Sequence, residues 1–347
     1  ETEVRPMLPG LAAAAGRLDA ALARIETPLR ELREGLMARL DDEADTLESA
    51  SRQRIESLCR SLARRALDPL GAWRAMARAV AADTTETGGP GETFVDWFEI
   101  ARRAGHEVDV GMRRHWVDPT VPFARVVAEP AHGMLVTSAT LRDSAGDEEA
   151  RWHDAEEATG AIHLLAPALR AAVPSPFDYA AATRAFVVTD VARDDAAQVA
   201  AAYRVLFEAA GGGALGLFTA IARLREVHRR IVAPLEAAGI TLLAQHVDAM
   251  DNATLVDVFR AEEDACLLGT DAMRDGVDVP GRALRLIVFD RLPWPRPTIL
   301  HRARRSRFGG ARAGAIDDRI ARARLRQAFG RLIRSESDRG CFVLLDS

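Results

Sequence analysis

Apolar residues over positions 8–82 recur at three- and four-residue steps: Leu11, Leu18, Leu22, Ile25, Leu29, Leu32 and Leu36 are separated by Arg, Glu and Ala. On an α-helix that spacing draws one apolar stripe with charged flanks. It predicts long antiparallel helices packed as a hairpin or bundle, with no sustained heptad. The stretch TTETGGPGE at 84–92 breaks the pattern, because Gly and Pro clusters end helices rather than continue them.

Beyond the break the period shortens. FVDWFEI and HEVDVGMRRHWV read as short strands, VPFARVVAE as a helix or turn, and GMLVTSATL as a buried strand closed by a polar turn. From about residue 170, short apolar runs alternate with helical patterns. AFVVTDV, ALGLFTA, ITLLAQH, DACLLGT, LRLIVFD and CFVLLDS are strand-like. Between them lie the helical RDDAAQVAAAYRVLFEAA, AIARLREVHRRIVAPLEAAG, NATLVDVFRAE and a final basic segment. Such alternation predicts an α/β domain with a doubly wound, mostly parallel sheet. Ligands of these folds bind outside the carboxyl ends of the strands, so the polar residues there become candidates. Ser138, Ala139 and Thr140 close GMLV, Thr219 closes LGLF, Gln245 closes TLLA and Thr270 follows ACLLG. The glycine-bounded loop Gly276-Val277-Asp278-Val279-Pro280-Gly281 comes soon after. Hydroxyls and amides so placed bond phosphate oxygens without reading base sequence.

Charge changes this picture locally. The net charge is -5, yet twelve arginines against two aspartates lie between Arg296 and Arg334. A block of that kind faces an anion: nucleic acid, nucleotide phosphate or an acidic protein surface. Within RLRQAFGRLIRSESDRG (324–340), Gln327, Gly330, Arg331 and Arg334 stand at i, i+3, i+4 and i+7. As one helix they would share a face suited to a phosphate-like partner, with Gly330 admitting it close to the backbone. No lysine occurs in the chain, so no phosphate-binding loop of the type G-x-x-x-x-G-K-[ST] is present. Cys59, Cys266 and Cys341 lie far apart, without metal-ligand or disulfide spacing, and read as small apolar residues in a reducing, cytoplasmic setting. No apolar run is long enough to span a bilayer, no signal-peptide pattern is present, and no membrane partner is expected. A start at Glu1 rather than Met suggests a fragment.

VTSATL, SPFDY (175–179), GLFTA, LLGTDAMRDGVDVPGRALRLIVFDRLPWPRP and RQAFGRLIRSESDRGCFVLLD follow one another in a diagnostic order. From about residue 93 to the end the chain resembles the second half of the XPD/DinG family of superfamily 2 DNA helicases. The resemblance implies a RecA-like second motor lobe at 146–347, the end of a first lobe at 93–145, and a helical arch-like region at 1–92. It implies that Ser138, Ala139 and Thr140 are motif III, coupling ATP state to the DNA track. Gly276, Asp278 and Gly281 would belong to motif V, and Gln327, Gly330, Arg331 and Arg334 to motif VI. Arg331 and Arg334 would reach the γ-phosphate, Arg334 as the arginine finger. Ser138, Thr140, Thr219, Gln245, Thr270 and Arg274 would contact single-stranded DNA.

The parent so implied is an ATP-dependent helicase that translocates on single-stranded DNA and unwinds duplexes, in repair. ATP and Mg²⁺ would be held mainly by a first RecA-like lobe of the same polypeptide, and any iron–sulfur cluster would lie outside this chain, which holds no metal. The fragment alone should not hydrolyse ATP. Rival readings are a non-catalytic DNA-binding or scaffold protein and an RNA-directed remodelling ATPase. Where relatives show Ser-Phe-Trp-Glu, this chain has Ala272-Met273-Arg274-Asp275, and where they have Ser-Tyr it has Ala220-Ile221. Both changes remove groups near the expected DNA path, with Arg274 a possible replacement grip. Trp294, inside LPWPRP, reads as a packing residue beside Pro293 and Pro295 or as a base-stacking platform.

Overall fold

The computed structural model describes residues 1–83, 94–103, 105–270, 273, 278–307 and 312–346. It divides into two compact units, Glu1–Val127 with Pro297–Gly309, and Ala128–Arg296 with Gly310–Ser347.

The first unit is helical at its start, as the apolar spacing predicts, with α1 (Leu11–Asp42), α2 (Ser49–Leu62) and α3 (Asp68–Ala81). Its three-stranded antiparallel sheet has the order β1 (Thr2–Glu3), β2 (Phe94–Arg103), β3 (His106–Trp116). The leucine stripe of α1 is covered only in part, with Leu11, Leu22, Leu29 and Leu36 half-buried. Ala15, Glu26 and Leu40 are buried, while Leu18, Ile25 and Leu32 are exposed. The acids on the covered side of α1 find partners on α3. Arg74 pairs with both Asp19 and Glu26, and Arg78 with Asp19 at 3.0 Å. In the sheet, buried Asp96 is held bidentately by Arg114 at 2.7 and 2.8 Å. A short helix, α4 (Thr120–Phe123), follows. A later helix, Ile299–Arg307, belongs to this unit as well. Ile299 is buried there, Arg304 Nε donates to the Val117 carbonyl at 3.0 Å, and Arg302 pairs with Glu3 at 2.7 Å.

The second unit contains the predicted α/β sheet. Its strands are β4 (Thr183–Val188), β5 (Ala214–Leu217), β6 (Leu242–Ala244), β7 (Cys266–Gly269), β8 (Leu286–Phe289) and β9 (Gly340–Leu345). They are the six apolar runs picked out above, all parallel, in the order β4-β9-β8-β5-β7-β6. The helices are α5 (Glu148–Thr159), α6 (Tyr179–Ala182), α7 (Ala196–Ala210), α8 (Ile221–Ala237) and α9 (Asn252–Ala261). In chain order the returning helix is α10, and α11 (Arg312–Phe329) completes the set described.

Every residue of β5, β7 and β8 is buried, as a parallel sheet covered on both faces requires. Alternation sorts their side chains. Leu215, Leu267 and Ile287 pack with α9 and α11, whereas Ala214, Leu268 and Val288 pack with α7 and α8. Asp147, Asp195 and Asp251 cap α5, α7 and α9 by accepting from backbone N–H groups of the first turn.

One strand expectation fails. Residues 134–137, MLVT, form no strand and belong to neither sheet, and Leu135 is 88% exposed. An apolar run becomes a strand only where a neighbouring ladder accepts its backbone groups, and the six-stranded sheet takes no seventh strand here. Among the described residues no helix is long and apolar enough to cross a membrane.

Candidate functional site

The basic face is built differently from the helical reading. Helix α11 stops at Phe329, so Gln327 is on it while Gly330, Arg331 and Arg334 lie in the loop before β9. Two features end the helix. Leu332 and Ile333 are buried in the core cluster shared by α9 and α11, drawing the chain inward. Asp338, itself buried, accepts from Arg334 N–H and Ser335 N–H at 2.8 Å each and from the Ser335 hydroxyl at 2.8 Å. A carboxylate that supplies acceptors to these N–H groups competes directly with the next helical turn. Burial pushes the Asp338 carboxyl up, but the bonds from Arg334 N–H and Ser335 and the nearby Arg339 outweigh it and hold the group below the usual carboxylate range.

This loop meets the glycine-bounded one. Arg334 Nη2 lies 2.9 Å from Asp278 Oδ1, joining two predicted site residues 56 positions apart in a largely exposed ion pair. Arg260 Nε donates to the Asp278 carbonyl at 3.1 Å. Gly281 has φ +74°, a left-handed conformation that a side chain would strain, which accounts for the glycine closing this loop. Gly330 is not so constrained. A Cβ there would make ordinary contact with the Arg326 carbonyl at 3.4 Å. Arg331 is half-buried beside it. Asp278, Gly281 and Arg334 precede β8 and β9, so this cluster lies on the amino-terminal side of those strands, opposite the carboxyl edge that the fold class predicts. Gly276 and Arg274 lie outside the described residues.

The carboxyl edge carries a second set of groups. Asp290, directly after β8, is fully buried; it accepts from Thr219 N–H at 3.2 Å and from Arg223 Nε at 2.8 Å. Burial raises its carboxyl above the usual range, against the opposing pull of Arg223, Thr219 N–H and Arg291. Gln245 is buried too, and its side chain is engaged within the protein. Its Oε1 accepts from Thr270 N–H and the Thr270 hydroxyl, both at 2.9 Å, and its Nε2 donates to Asn252 at 3.1 Å. The next residue, His246, has φ +66°, and Arg225 donates to its carbonyl through Nη2 at 3.0 Å and Nε at 3.3 Å. Backbone strain held by a dedicated side chain marks this edge as preformed.

The third predicted element, Ser138-Ala139-Thr140, forms an exposed turn in which Thr140 N–H donates to Ser138 Oγ at 3.2 Å. Helix α11 grips it. Arg326 donates to the Arg142 carbonyl at 2.6 Å and the Ala139 carbonyl at 3.2 Å, and Arg322 binds Asp143 through two nitrogens. Hydrogen bonding to Arg322 lowers the Asp143 carboxyl despite its burial.

The arginine surplus is therefore largely internal. Of the twelve, Arg302, Arg304, Arg307, Arg319, Arg322, Arg324, Arg326 and Arg334 are each held by a protein acceptor. Composition cannot reveal this, because the acceptors are carbonyls and acids remote in sequence. Asp290 and Asp338, which sequence reading passed over, had a faint signal: each stands where an apolar strand ends or begins. Cys59 and Cys266 are buried and Cys341 half-buried; burial pushes the Cys266 thiol up to about 12.

Residues 203–347 match the family described as the helicase C-terminal domain, a span that includes β5–β9 and both edges just described. That region is similar to the C-terminal domain of helicases. The ATP-dependent helicase DinG of Mycobacterium tuberculosis is 38% identical over 146 residues, 41% of this chain and 21% of that protein. The ATP-dependent DNA helicase YoaA of Escherichia coli is 29% identical over 233 residues, 65% of this chain and 34% of that protein. The 3'-5' exonuclease DinG of Bacillus subtilis is 35% identical over 136 residues, 38% of this chain and 15% of that protein. The chain thus spans between 15% and 34% of the lengths of these relatives. In the helicase C-terminal domain the two loops joined by Arg334 and Asp278 are GVDVPG and GRLIRSESDRG, the segments on which the resemblance chiefly rests.

Proposed function

We propose that this chain is the second motor lobe, with an adjoining helical region, of an ATP-dependent helicase that moves on single-stranded DNA and opens duplexes, in DNA repair. The observation that carries the reading is the meeting of Arg334 with Asp278 at 2.9 Å beside Arg331. An exposed ion pair of this kind contributes little to stability, roughly 0–1 kcal/mol. Its guanidinium therefore exchanges one anionic partner for another at small cost. The phosphate chain of ATP is such a partner, and Arg334 presents a planar fork matched to it.

In this proposal a first lobe holds ATP and Mg²⁺. No group of three or more His, Cys, Asp and Glu able to hold a metal occurs among the described residues, and the chain has no lysine for a phosphate-binding loop. What these residues supply is positive charge at the phosphates, from Arg334 and Arg331, with Asp278 and Gly281 shaping the loop and Asp338 fixing its backbone. Gln327 on α11 and Gly330 complete motif VI. Thr219 and Thr270 serve the nucleic-acid backbone at the carboxyl edge, with buried Gln245 positioning Thr270. Ser138 and Thr140 pass the nucleotide state to the nucleic-acid track, through the grip of Arg322 and Arg326 on their turn.

The test is Arg334→Ala in the full-length protein. DNA-stimulated ATP hydrolysis should fall at least about 10³-fold, the lower end of what an arginine finger contributes. ATP affinity should change only a few-fold. Near-normal turnover overturns the assignment. The 347-residue chain by itself should show no ATP hydrolysis.

A further inference from the structure

Trp294 is the aromatic residue whose setting the motor reading leaves unexplained. Its two prolines suggested a packed position, yet it is 49% exposed, whereas Pro293 beside it is buried. No ring or cation contact to its indole occurs among the described residues. Three constraints nevertheless fix how it is presented. Pro293, Pro295 and Pro297 lock alternate backbone angles, and a residue that precedes proline is itself confined to extended conformations. Trp294 N–H donates to the Leu292 carbonyl at 2.9 Å, closing a tight turn. Arg324 Nη1, from α11, donates to the carbonyls of both Pro293 and Trp294, at 2.9 and 3.1 Å. The loop leaves the carboxyl end of β8 just after buried Asp290, on the edge where Thr219 and Thr270 close their strands, and Arg296 beside it is exposed.

An indole left open on a backbone that prolines and an arginine hold still is a surface prepared for a flat apolar partner. We infer that Trp294 is a stacking platform for an unpaired nucleobase of single-stranded DNA, with Arg324 as its positioning residue. Stacking of this type tolerates any base, since every base has a π-face, and needs no hydrogen-bond readout. The inference rests on the nucleic-acid part of the proposed function.

The experiment compares binding of the full chain to oligothymidylate and to an abasic oligonucleotide of equal length, by fluorescence anisotropy of a labelled strand. Wild type should prefer oligothymidylate. Trp294→Leu should weaken oligothymidylate binding roughly tenfold, within the range for loss of one stacked base, and leave abasic binding unchanged. Trp294→Phe, which keeps a ring, should stay within about twofold of wild type by the same stacking argument. Trp73→Leu, at a residue 52% exposed in the first unit, should change neither affinity. If Trp294→Leu binds oligothymidylate as wild type does, or loses both ligands equally, the platform is overturned while the nucleic-acid reading stands. If wild type binds neither strand, that reading fails and the platform with it.

Discussion

At the scale of single residues, Asp290 organises the carboxyl edge. It is fully buried, accepts from the backbone of Thr219 and pairs with Arg223, so the end of β5, the start of α8 and the end of β8 depend on one carboxylate. Burial raises its proton affinity, and the guanidinium only partly offsets that. Removing the acid would leave Arg223 charged in a largely buried site without its partner. Asp290→Ala should therefore destabilise the second unit by about 3–5 kcal/mol, the usual cost of breaking a buried pair from one side. The shift in urea midpoint at unchanged slope measures it, and a change under 1 kcal/mol would mean that water or Arg291 relieves the site. The position was legible as the polar end of an apolar strand. Its partners were not, because Thr219 and Arg223 lie about 70 residues earlier and only the parallel pairing of β5 with β8 brings them close.

At the scale of elements, all six strands and the major helices of the second unit were readable, since hydrophobic period and burial agree there. The segment 324–340 was read as one helix, and the structure corrects that shape. Its i, i+3, i+4, i+7 spacing fits a helix, but buried Leu332 and Ile333 and the acceptors of Asp338 turn the chain after Phe329. The leucine stripe of α1 is covered only in part, and ion pairs from its acids to Arg74 and Arg78 tie that helix to α3. Asp338 offers a test of the loop. Its carboxyl is held below the usual range, so its ionised form stabilises the fold. That contribution is fully present above the ordinary carboxylate pKa of about 3.9 and is lost as pH falls through the lower folded value. Asp338→Asn should thus be less stable than wild type by about 1.5–3 kcal/mol near pH 7, the size of hydrogen bonds to a charged acceptor. The gap should close below about pH 4, as wild type loses the same charge. Thermal unfolding of both proteins across pH would show it; a gap independent of pH would mean that the charge of Asp338 does not anchor the loop.

At the scale of the whole molecule, the question is how much of the arginine block is available to nucleic acid. The net charge of -5, with 46 arginines against 51 acidic residues, shows balance only over the chain as a whole. The structure goes further for the segment 296–334, where eight of twelve guanidiniums hold carbonyls or acids of the chain itself. Several of these bonds do mechanical work, fixing the Ser138–Thr140 turn and the Trp294 loop to α11. On the proposed function, affinity for single strands depends on a few backbone contacts and on stacking, rather than on a broad positive surface. Salt dependence separates the two cases, because each phosphate neutralised releases condensed counterions. Were all twelve arginines on phosphate, the logarithm of the binding constant would fall with the logarithm of salt at a slope of about -8 for a single strand. With at least eight of the twelve already held by acceptors of the chain itself, the slope should be clearly shallower than that. Titration of the chain with oligothymidylate between roughly 50 and 200 mM salt, the range over which such slopes are read, decides it. A slope near -8 would show that the internal bonds of α10 and α11 open on binding and that these helices face the strand after all.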